Sequence, residues 1–390
     1  MKYTSIVIAV LSMASSSISY AQSTNTFYGL LDVNVASTDS GFGSKGSFGT
    51  SGMAATRLGV KGERALGDDL RAIYTLEAAV AVDTGVTGNG AITNGINNTA
   101  ASSGGLIGNG GQLFSRQAYF GLQNDMGTLT IGRQYSGSFG AAALGNALGV
   151  GLFGYSGSLL PVIGGMPTRL NNSLVYISPT PAGGGFTAQV AYSTGSENNV
   201  IGNVAVGTTT TNWDAGKLID LTLTYAKGPL YAAVSTWSGN NASYVTAGET
   251  GLATKQGTQL AASYDFGAAK LYGTYVTGTI QGGNYENVTK TLSSANGWSV
   301  SGAVPIGKGK VIASYTSLTD NSSLNKSATM SGLAYTYSLY EKTTLYAAWG
   351  QVSNNSNSSY ALANGGDLVG NVSAAGVSPS GFMVGLMMTF

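Results

Sequence analysis

The chain has 390 residues and a formal net charge of +1, and only 9% of its residues are charged, against about 25% in an ordinary soluble domain. So little charge leaves too little solvating surface for a globular protein in water, and the absence of basic clusters argues against a nucleic-acid partner. The chain contains no histidine and no cysteine. This excludes disulfides, Ser-His-Asp and Cys-His catalysis, and histidine-based metal sites. Catalysis by carboxylates alone stays possible, but no pair stands out among the 17 acidic residues. We therefore expect no catalytic residues, no metal and no cofactor.

The N-terminus has the pattern of an export signal. Lys2 precedes an apolar stretch at residues 6–11, and a small-x-small cleavage site follows at residues 19–21. The apolar stretch is shorter than the about 20 residues that a membrane-spanning helix needs. We predict that residues 1–21 are a removed signal peptide and that residues 22–390 form one domain.

Beyond the signal, short segments alternate apolar and polar side chains at period two. The first clear example places Leu58 and Val60 on one side and Arg57 and Lys61 on the other. Apolar members of later segments are Leu70, Tyr74, Leu76, Leu221, Leu223, Leu260, Tyr264, Leu333, Tyr335, Leu345 and Trp349. No apolar run is long enough for a spanning helix, so this alternation predicts strands with one face toward lipid.

The connections between these segments are of two kinds. Tight turns are predicted at 66–69, 124–127, 227–229, 266–268, 306–309 and 339–342, and long polar loops at 82–112, 136–168, 195–215, 238–256, 279–296 and 353–379. Short turns on one rim and long loops on the other are typical of outer-membrane barrels. We predict an all-β fold, a transmembrane antiparallel β-barrel of about 16 strands with short periplasmic turns and long external loops.

One segment breaks the alternation. In residues 128–133, Arg133 falls on the same side as Leu129 and Ile131, which should face lipid. Either a β-bulge shifts the register, or the outer face of this strand meets protein. The preceding strand, residues 113–122, also has few apolar residues on its outward side. These two strands suggest the hypothesis that the first five strands pack against another subunit.

The last ten residues form the final predicted strand. Its outward side carries Phe382, Val384, Leu386, Met388 and Phe390. An apolar outer face with a terminal aromatic residue suits a wall standing in lipid. It also resembles the terminal signal by which bacterial outer-membrane barrels are recognised for insertion. We therefore expect the outer membrane of a Gram-negative bacterium, with its lipid, lipopolysaccharide and barrel-assembly machinery as partners.

Several segments in chain order carry a more specific pattern. They are Phe27-Tyr28-Gly29-Leu30-Leu31-Asp32, Arg57-Leu58-Gly59-Val60-Lys61-Gly62-Glu63, Arg116-Gln117-Ala118-Tyr119-Phe120-Gly121-Leu122, Gly132-Arg133-Gln134 and Asn172-Ser173-Leu174-Val175-Tyr176, with the terminal Phe390. This ordered set resembles the strand signatures of trimeric general diffusion porins of the beta-proteobacterial type, over essentially the whole mature chain. The resemblance implies a sixteen-stranded barrel, a homotrimer, passive diffusion of small hydrophilic solutes, and an external loop, residues 136–168, folded into the lumen as a constriction.

The side of the wall that faces away from lipid collects basic residues. They are Arg57, Lys61, Arg71, Arg116 and Arg169, with Arg133 added if its orientation follows the family, and the acidic residues Asp32, Glu63 and Glu77 share this side. In the family such basic residues face acidic residues on the constriction loop, but residues 134–168 contain no charged residue. A basic wall facing an uncharged loop predicts mild anion preference. The alternative is that these charges pair with one another and leave the pore nearly unselective.

The predicted constriction loop is apolar instead. Its candidate residues are Phe139, Leu144, Leu148, Phe153 and Tyr155. They either line a path for less polar solutes or pack against the wall and narrow the pore, and the sequence leaves both open. Two other functions also stay open: a substrate-specific outer-membrane channel, and a structural or adhesive barrel that acts through its loops. We favour the passive pore because the inward side has no ladder of aromatic or charged residues.

Overall fold

A computed structural model describes residues 23–41, 43–87, 113–195, 200–203, 208–211, 216–241, 253–285, 288–364, 368–369 and 374–390. The predicted signal peptide, residues 1–21, lies outside these residues, as does most of the predicted loop 82–112. In the described part of the chain, every helix is too short or too polar to cross a bilayer.

The described residues form mostly strands. In chain order the strands are β1 Ser23–Asp39, β2 Ser44–Thr50, β3 Arg57–Ala65, β4 Arg71–Ala79, β5 Gln117–Asn124, β6 Gly127–Tyr135, β7 Arg169–Ile177, β8 Gly185–Ser193, β9 Val200–Asn203, β10 Thr208–Thr211, β11 Leu218–Lys227, β12 Leu230–Asn241, β13 Ala253–Asp265, β14 Lys270–Tyr285, β15 Val288–Ile306, β16 Gly309–Asp320, β17 Ala328–Tyr340, β18 Thr343–Asn354, β19 Leu362–Ala363, β20 Leu368–Val369 and β21 Ser380–Thr389. Between β6 and β7 lie helix α1, Gly137–Leu144, and two short 3₁₀ helices, Ser156–Ser158 and Leu160–Gly165.

The strands close into one antiparallel barrel. Seventeen of them form a single sheet, in which β1 pairs with β21 and so joins the two ends of the chain. Both β2 and β3 pair with β1, along different parts of its length, so together they count as one interrupted wall strand. The wall therefore has sixteen strands, as predicted. The short strands β9 and β10, and β19 and β20, pair separately from the barrel sheet.

One predicted loop is wrong. Most of residues 279–296 belong to β14 and β15, whose antiparallel pairing continues, with register shifts on either side of Gln281, to the pair Tyr285 and Val288. The composition there is polar, with no apolar face to mark a strand. A strand that continues into water keeps its backbone hydrogen bonds without needing a lipid-facing side. The hydrogen bonding between β14 and β15 therefore continues past the residues that alternate between apolar and polar, and the sequence prediction depended on that alternation.

The irregular strand contains a β-bulge. The pairing of β6 with β7 shifts register between Gly132 and Gln134, and Gly132 has a φ of 133°, which glycine adopts without a side-chain clash. Of the two explanations offered for Arg133, the bulge is present. Its consequence is that the side chains of two neighbouring residues, Gln134 and Tyr135, both make contacts on the inside of the wall.

The outer face carries the apolar side of the alternation. Exposed apolar side chains occur along the wall, among them Leu221, Leu260, Leu333 and Trp349. The C-terminal side chains predicted to face outward are also exposed, and they are Phe382, Val384, Leu386, Met388 and Phe390. Phe390 is fixed by backbone hydrogen bonds to Gly29 in both directions, at 3.1 and 3.2 Å. The function of this strand as an assembly signal stays a prediction.

Candidate functional site

Residues 136–168 run along the inside of the barrel. The two ends of the segment meet where Ser136 N donates to Thr168 O at 3.2 Å. Between them, backbone groups bond to inward-facing side chains of distant strands. Ala147 N donates to Ser301 Oγ at 2.9 Å, and Gly154 O accepts from Ser314 Oγ at 2.8 Å. The segment is thus attached to wall strands far from it in sequence.

The apolar side chains of this segment pack against the wall. Leu148, Leu152, Phe153, Leu159 and Ile163 are at most 2% exposed. They lie in one cluster with inward-facing residues of β14 to β18 and β21, which we call the apolar sector: Val276, Ile312, Met330, Val352 and Met383. Burying apolar side chains stabilises this contact by about 25 cal/mol per Å² of area removed from water.

Two glycines allow a close approach between the segment and the wall. Gly154 has a φ of 89°, and a Cβ atom there would lie 2.3 Å from the Cα of Gly332 on β17. Neither position has room for a larger residue. Of the two arrangements left open for the loop, packing against the wall is therefore the one observed for Leu148 and Phe153. Leu144 is 57% exposed, while Phe139 and Tyr155 are half-buried.

Asp220 is a charged residue that contacts the segment. This carboxylate on β11 is fully buried and accepts from Gly137 N at 3.0 Å, from Ser138 N at 3.3 Å and from Ser138 Oγ. It therefore lies at the N-terminus of α1, where backbone N–H groups and the helix dipole favour negative charge. The sequence shows Asp220 on the inward side of its strand. Its partners are mainly backbone amides, which no residue pattern reveals.

The basic residues gather on a different part of the wall, around β3 to β7. Arg116 Nε lies 2.7 Å from Glu77 Oε1, and Glu77 Oε2 accepts from Tyr28 Oη at 2.9 Å. Arg116 Nη2 also donates to Tyr135 Oη, which accepts from Arg169 Nη2 at 2.8 Å. We call Arg57, Arg116, Arg133 and Arg169, together with Tyr28, Glu77 and Tyr135, the basic sector.

The two remaining arginines of this sector bond to neutral groups. Arg57 Nε donates to Ala55 O at 2.9 Å. Arg133 Nε donates to Ser115 O at 2.6 Å, and its Nη1 bonds to Asn171 Oδ1. Among the described residues the ion pairs are Arg71 with Glu63 and Arg116 with Glu77. The charges of Arg57, Arg133 and Arg169 are therefore not neutralised by a contacting carboxylate within the described part of the chain.

Three residues predicted to line the pore lie outside the basic sector. Arg71 and Glu63 form a mostly exposed ion pair at 3.6 Å beside the turn between β3 and β4. Lys61 is exposed, and its Nζ lies 5.6 Å from the centre of the Tyr28 ring. Surface pairs of this kind are worth little, about 0–1 kcal/mol. The structure thus places Arg71 and Glu63 near one rim of the barrel, away from the segment 136–168.

The prediction that Asp32 lines the pore is wrong. Asp32 is fully buried and accepts from Met53 N at 2.7 Å, Ala54 N at 2.8 Å and Tyr346 Oη at 2.5 Å. The wall strand is interrupted between β2 and β3, so the backbone N–H groups there lose their ladder partners. Asp32 supplies the acceptors that these groups need.

Glu77 and Arg116 also differ from their predicted exposure. Both are 2% exposed, because each is covered by its partner and by the tyrosines around them. They contribute a neutral, structural pair to the wall. Tyr135 was not selected from the sequence, since a strand tyrosine has no distinguishing pattern, and the bulge that turns it inward is visible only as an irregular alternation.

Comparison with known proteins gives consistent matches. A family model described as Gram-negative porin matches residues 6–357. Outer membrane porin protein 32 of Delftia acidovorans is 29% identical, over all of both chains. An outer membrane porin protein of Bordetella pertussis is 28% identical, and the match covers 84% of this chain and 88% of the Bordetella protein. The solved anion-selective porin from Comamonas acidovorans covers 95% of this chain and 100% of its own, with a TM-score of 0.75 at 24% identity. At that identity the structural match bears on the fold alone.

Proposed function

The chain belongs to the Gram-negative porin family and is an outer-membrane porin, and we propose that its pore lets small hydrophilic solutes and ions diffuse passively with a mild preference for anions. The observation that carries this preference is the charge difference across the lumen. Arg57, Arg133 and Arg169 have no contacting carboxylate within the described residues. The segment 136–168 has no charge of its own.

Several features support the sign of this preference. Glu77 is paired with Arg116, and Asp32 and Asp220 are buried on backbone amides. Arg116 thus neutralises Glu77, while the two aspartates and the three arginines all bond to neutral groups. The three arginines outnumber these two carboxylates, so the sum of these charges is positive. A lumen wall with uncompensated positive charge raises the local concentration of anions and lowers that of cations. One solved structural neighbour is named an anion-selective porin, in agreement with this proposal.

We base the proposals on enzymatic activity, oligomeric state and partners on the porin family. The relatives are porins rather than enzymes, so we propose no enzymatic activity. We propose a homotrimer in which the first five strands contact neighbouring subunits. The expectation that residues 113–122 have few outward apolar side chains was wrong, because Phe120 and Leu122 are exposed. Lipid, lipopolysaccharide and the barrel-assembly machinery remain the expected partners. A specific channel or a structural barrel is the alternative if the lumen proves closed.

The experiment is a single-channel recording of the refolded mature chain in a planar bilayer. An ohmic current in groups of three equal steps supports a trimeric diffusion pore. A reversal potential of the sign expected for anions, measured in a KCl gradient, supports the preference. Folded protein that conducts no current would contradict the diffusion pore, and a cation-type reversal potential would contradict the anion preference alone.

A further inference from the structure

The hydroxyl oxygen of Tyr135 lies between two guanidinium groups. It accepts from Arg116 Nη2 and, at 2.8 Å, from Arg169 Nη2. The ring is also in contact with both cations, with the guanidinium carbons 5.8 Å from its centre for Arg116 and 4.5 Å for Arg169. The ring also stacks on Phe139 of the segment 136–168, with the ring centres 5.1 Å apart and an angle of 9° between the planes. Tyr135 is thus held firmly in this position.

The position of this oxygen is the one that an anion would take. Two convergent guanidinium groups are well suited to bind a carboxylate, a phosphate or a halide between them. A phenol oxygen accepts hydrogen bonds without carrying charge, so it satisfies both arginines more weakly than an anion would. Among the described residues, Arg169 Nε has no acceptor, so Arg169 is not saturated by its other contacts.

We propose that Tyr135 is a positioning residue that acts as a neutral stand-in for an anion, holding Arg116 and Arg169 while preventing a permeating anion from bridging them. This inference rests on the proposed anion preference and deepens it. Conduction needs binding that is favourable enough to admit an ion and weak enough to release it. The charge of Arg116 is balanced by Glu77, so the uncompensated charge here is that of Arg169. The tyrosine keeps this charge at the wall and occupies the tight site that the two guanidinium groups would otherwise form. Anions then pass without long residence.

The test compares wild type with Tyr135→Phe, which keeps the ring and its stacking on Phe139 and removes one oxygen. Single-channel conductance is measured over a series of KCl concentrations, with and without inorganic phosphate. We expect the half-saturating chloride concentration to fall roughly three- to tenfold in Tyr135→Phe, and block by phosphate to strengthen by a similar factor. The conductance of the wild type should rise almost linearly with KCl concentration over the same range.

Tyr119→Phe is the matched control. Tyr119 also lies on the inner wall, but its hydroxyl accepts from Thr75 Oγ1 at 3.0 Å rather than from an arginine in the described contacts. Its removal should leave saturation as in wild type. In an Arg169→Gln background the pair no longer exists, so Tyr135→Phe should have no further effect. Circular dichroism and heat-modifiable gel mobility first establish that each variant is folded.

Several outcomes would overturn the inference. They are an unchanged or higher half-saturating concentration in folded Tyr135→Phe, an equal shift in Tyr119→Phe, and saturation of the wild type at low KCl. If Tyr135→Phe does not fold, the conductance of the wild type still tests the inference, because saturation at low KCl would contradict it. The reversal potential separates this inference from the function on which it rests. Cation preference of the wild type would overturn the anion preference itself, whereas an anion-preferring wild type with an unchanged Tyr135→Phe would overturn only the role of Tyr135.

Discussion

The two sectors of the inner wall differ in how their side chains are kept stable: one covers apolar side chains, and the other holds charged ones. The apolar sector has inward-facing residues that water would not favour, and it covers them with the uncharged, leucine-rich segment 136–168. The basic sector carries arginines, and it holds them with neutral tyrosine, asparagine and carbonyl oxygens and with a single carboxylate. Apolar content and charge have thus been separated to different parts of one barrel. We therefore expect the apolar sector to narrow the pore and the basic sector to set its ion selectivity.

Breaking the buried ion pair between Arg116 and Glu77 should lower the free energy of unfolding more than any other change proposed for the basic sector. Arg116→Met leaves Glu77 buried without its partner, at a cost of about 3–5 kcal/mol in the free energy of unfolding. Urea unfolding of the protein in lipid vesicles measures this loss. The double variant Glu77→Gln with Arg116→Met should recover most of it, because no unpaired charge remains. Equal stability of the single and double variants would contradict the pairing.

Removing a side chain from the apolar sector should detach the segment. Phe153 is fully buried, and Phe153→Ala should cost about 3 kcal/mol through lost burial and the cavity left behind. We expect larger and noisier single-channel conductance as the segment loosens, with little change in reversal potential. Leu144→Ala is the matched control, since Leu144 is 57% exposed. A change of selectivity in Phe153→Ala would mean that the two sectors are not independent.

Asp220 tests the comparison between the two sectors, because its charge attaches the segment 136–168 to the wall. Asp220→Asn keeps the shape and loses the charge at the start of α1, so we expect a loss of about 1–2 kcal/mol in stability. Conductance noise should rise, and the reversal potential should change little because the charge is buried. Asp125→Asn, on an exposed turn, is the control. A large shift of the reversal potential in Asp220→Asn would show that this carboxylate acts on permeating ions.

The smallest effect concerns alkaline pH. Burial raises the pKa of Tyr155, in the segment 136–168, from 10.0 to about 12. The folded state therefore holds this proton more tightly than the unfolded state, and its contribution to stability is complete below pH 10.0 and declines toward about pH 12. Tyr155→Phe should flatten this part of the stability curve relative to wild type, measured by urea unfolding at several pH values. Tyr340→Phe, at a 74% exposed position, should not.

Much of the fold could be predicted from the sequence, because lipid imposes a regular pattern. The outward positions of Leu221, Leu333 and Phe382 follow from alternation alone, and the sixteen strands follow from counting the segments and turns. The prediction was wrong for residues 279–296, where the strands leave the membrane. There neither face needs to be apolar, and hydrogen bonding along the backbone is invisible in the side chains.

The candidate site could be predicted only in part. The cost of an arginine in lipid predicts that the basic residues face the lumen, and Arg57 and Arg169 lie in the basic sector. Which charges remain uncompensated depends on contacts that alternation does not encode. Asp32 and Asp220 bind backbone amides, where a strand is interrupted and where a helix begins. The contribution of Tyr135 depends on a one-residue bulge.

The most direct test of the division between the sectors is the reversal potential of wild type and of Arg57→Gln with Arg169→Gln, under the same KCl gradient. The wild type should show anion preference, and the double variant should lose most of it while its conductance steps and heat stability stay close to wild type. A cation-preferring wild type, or a double variant with unchanged reversal potential, would contradict the assignment of selectivity to the basic sector.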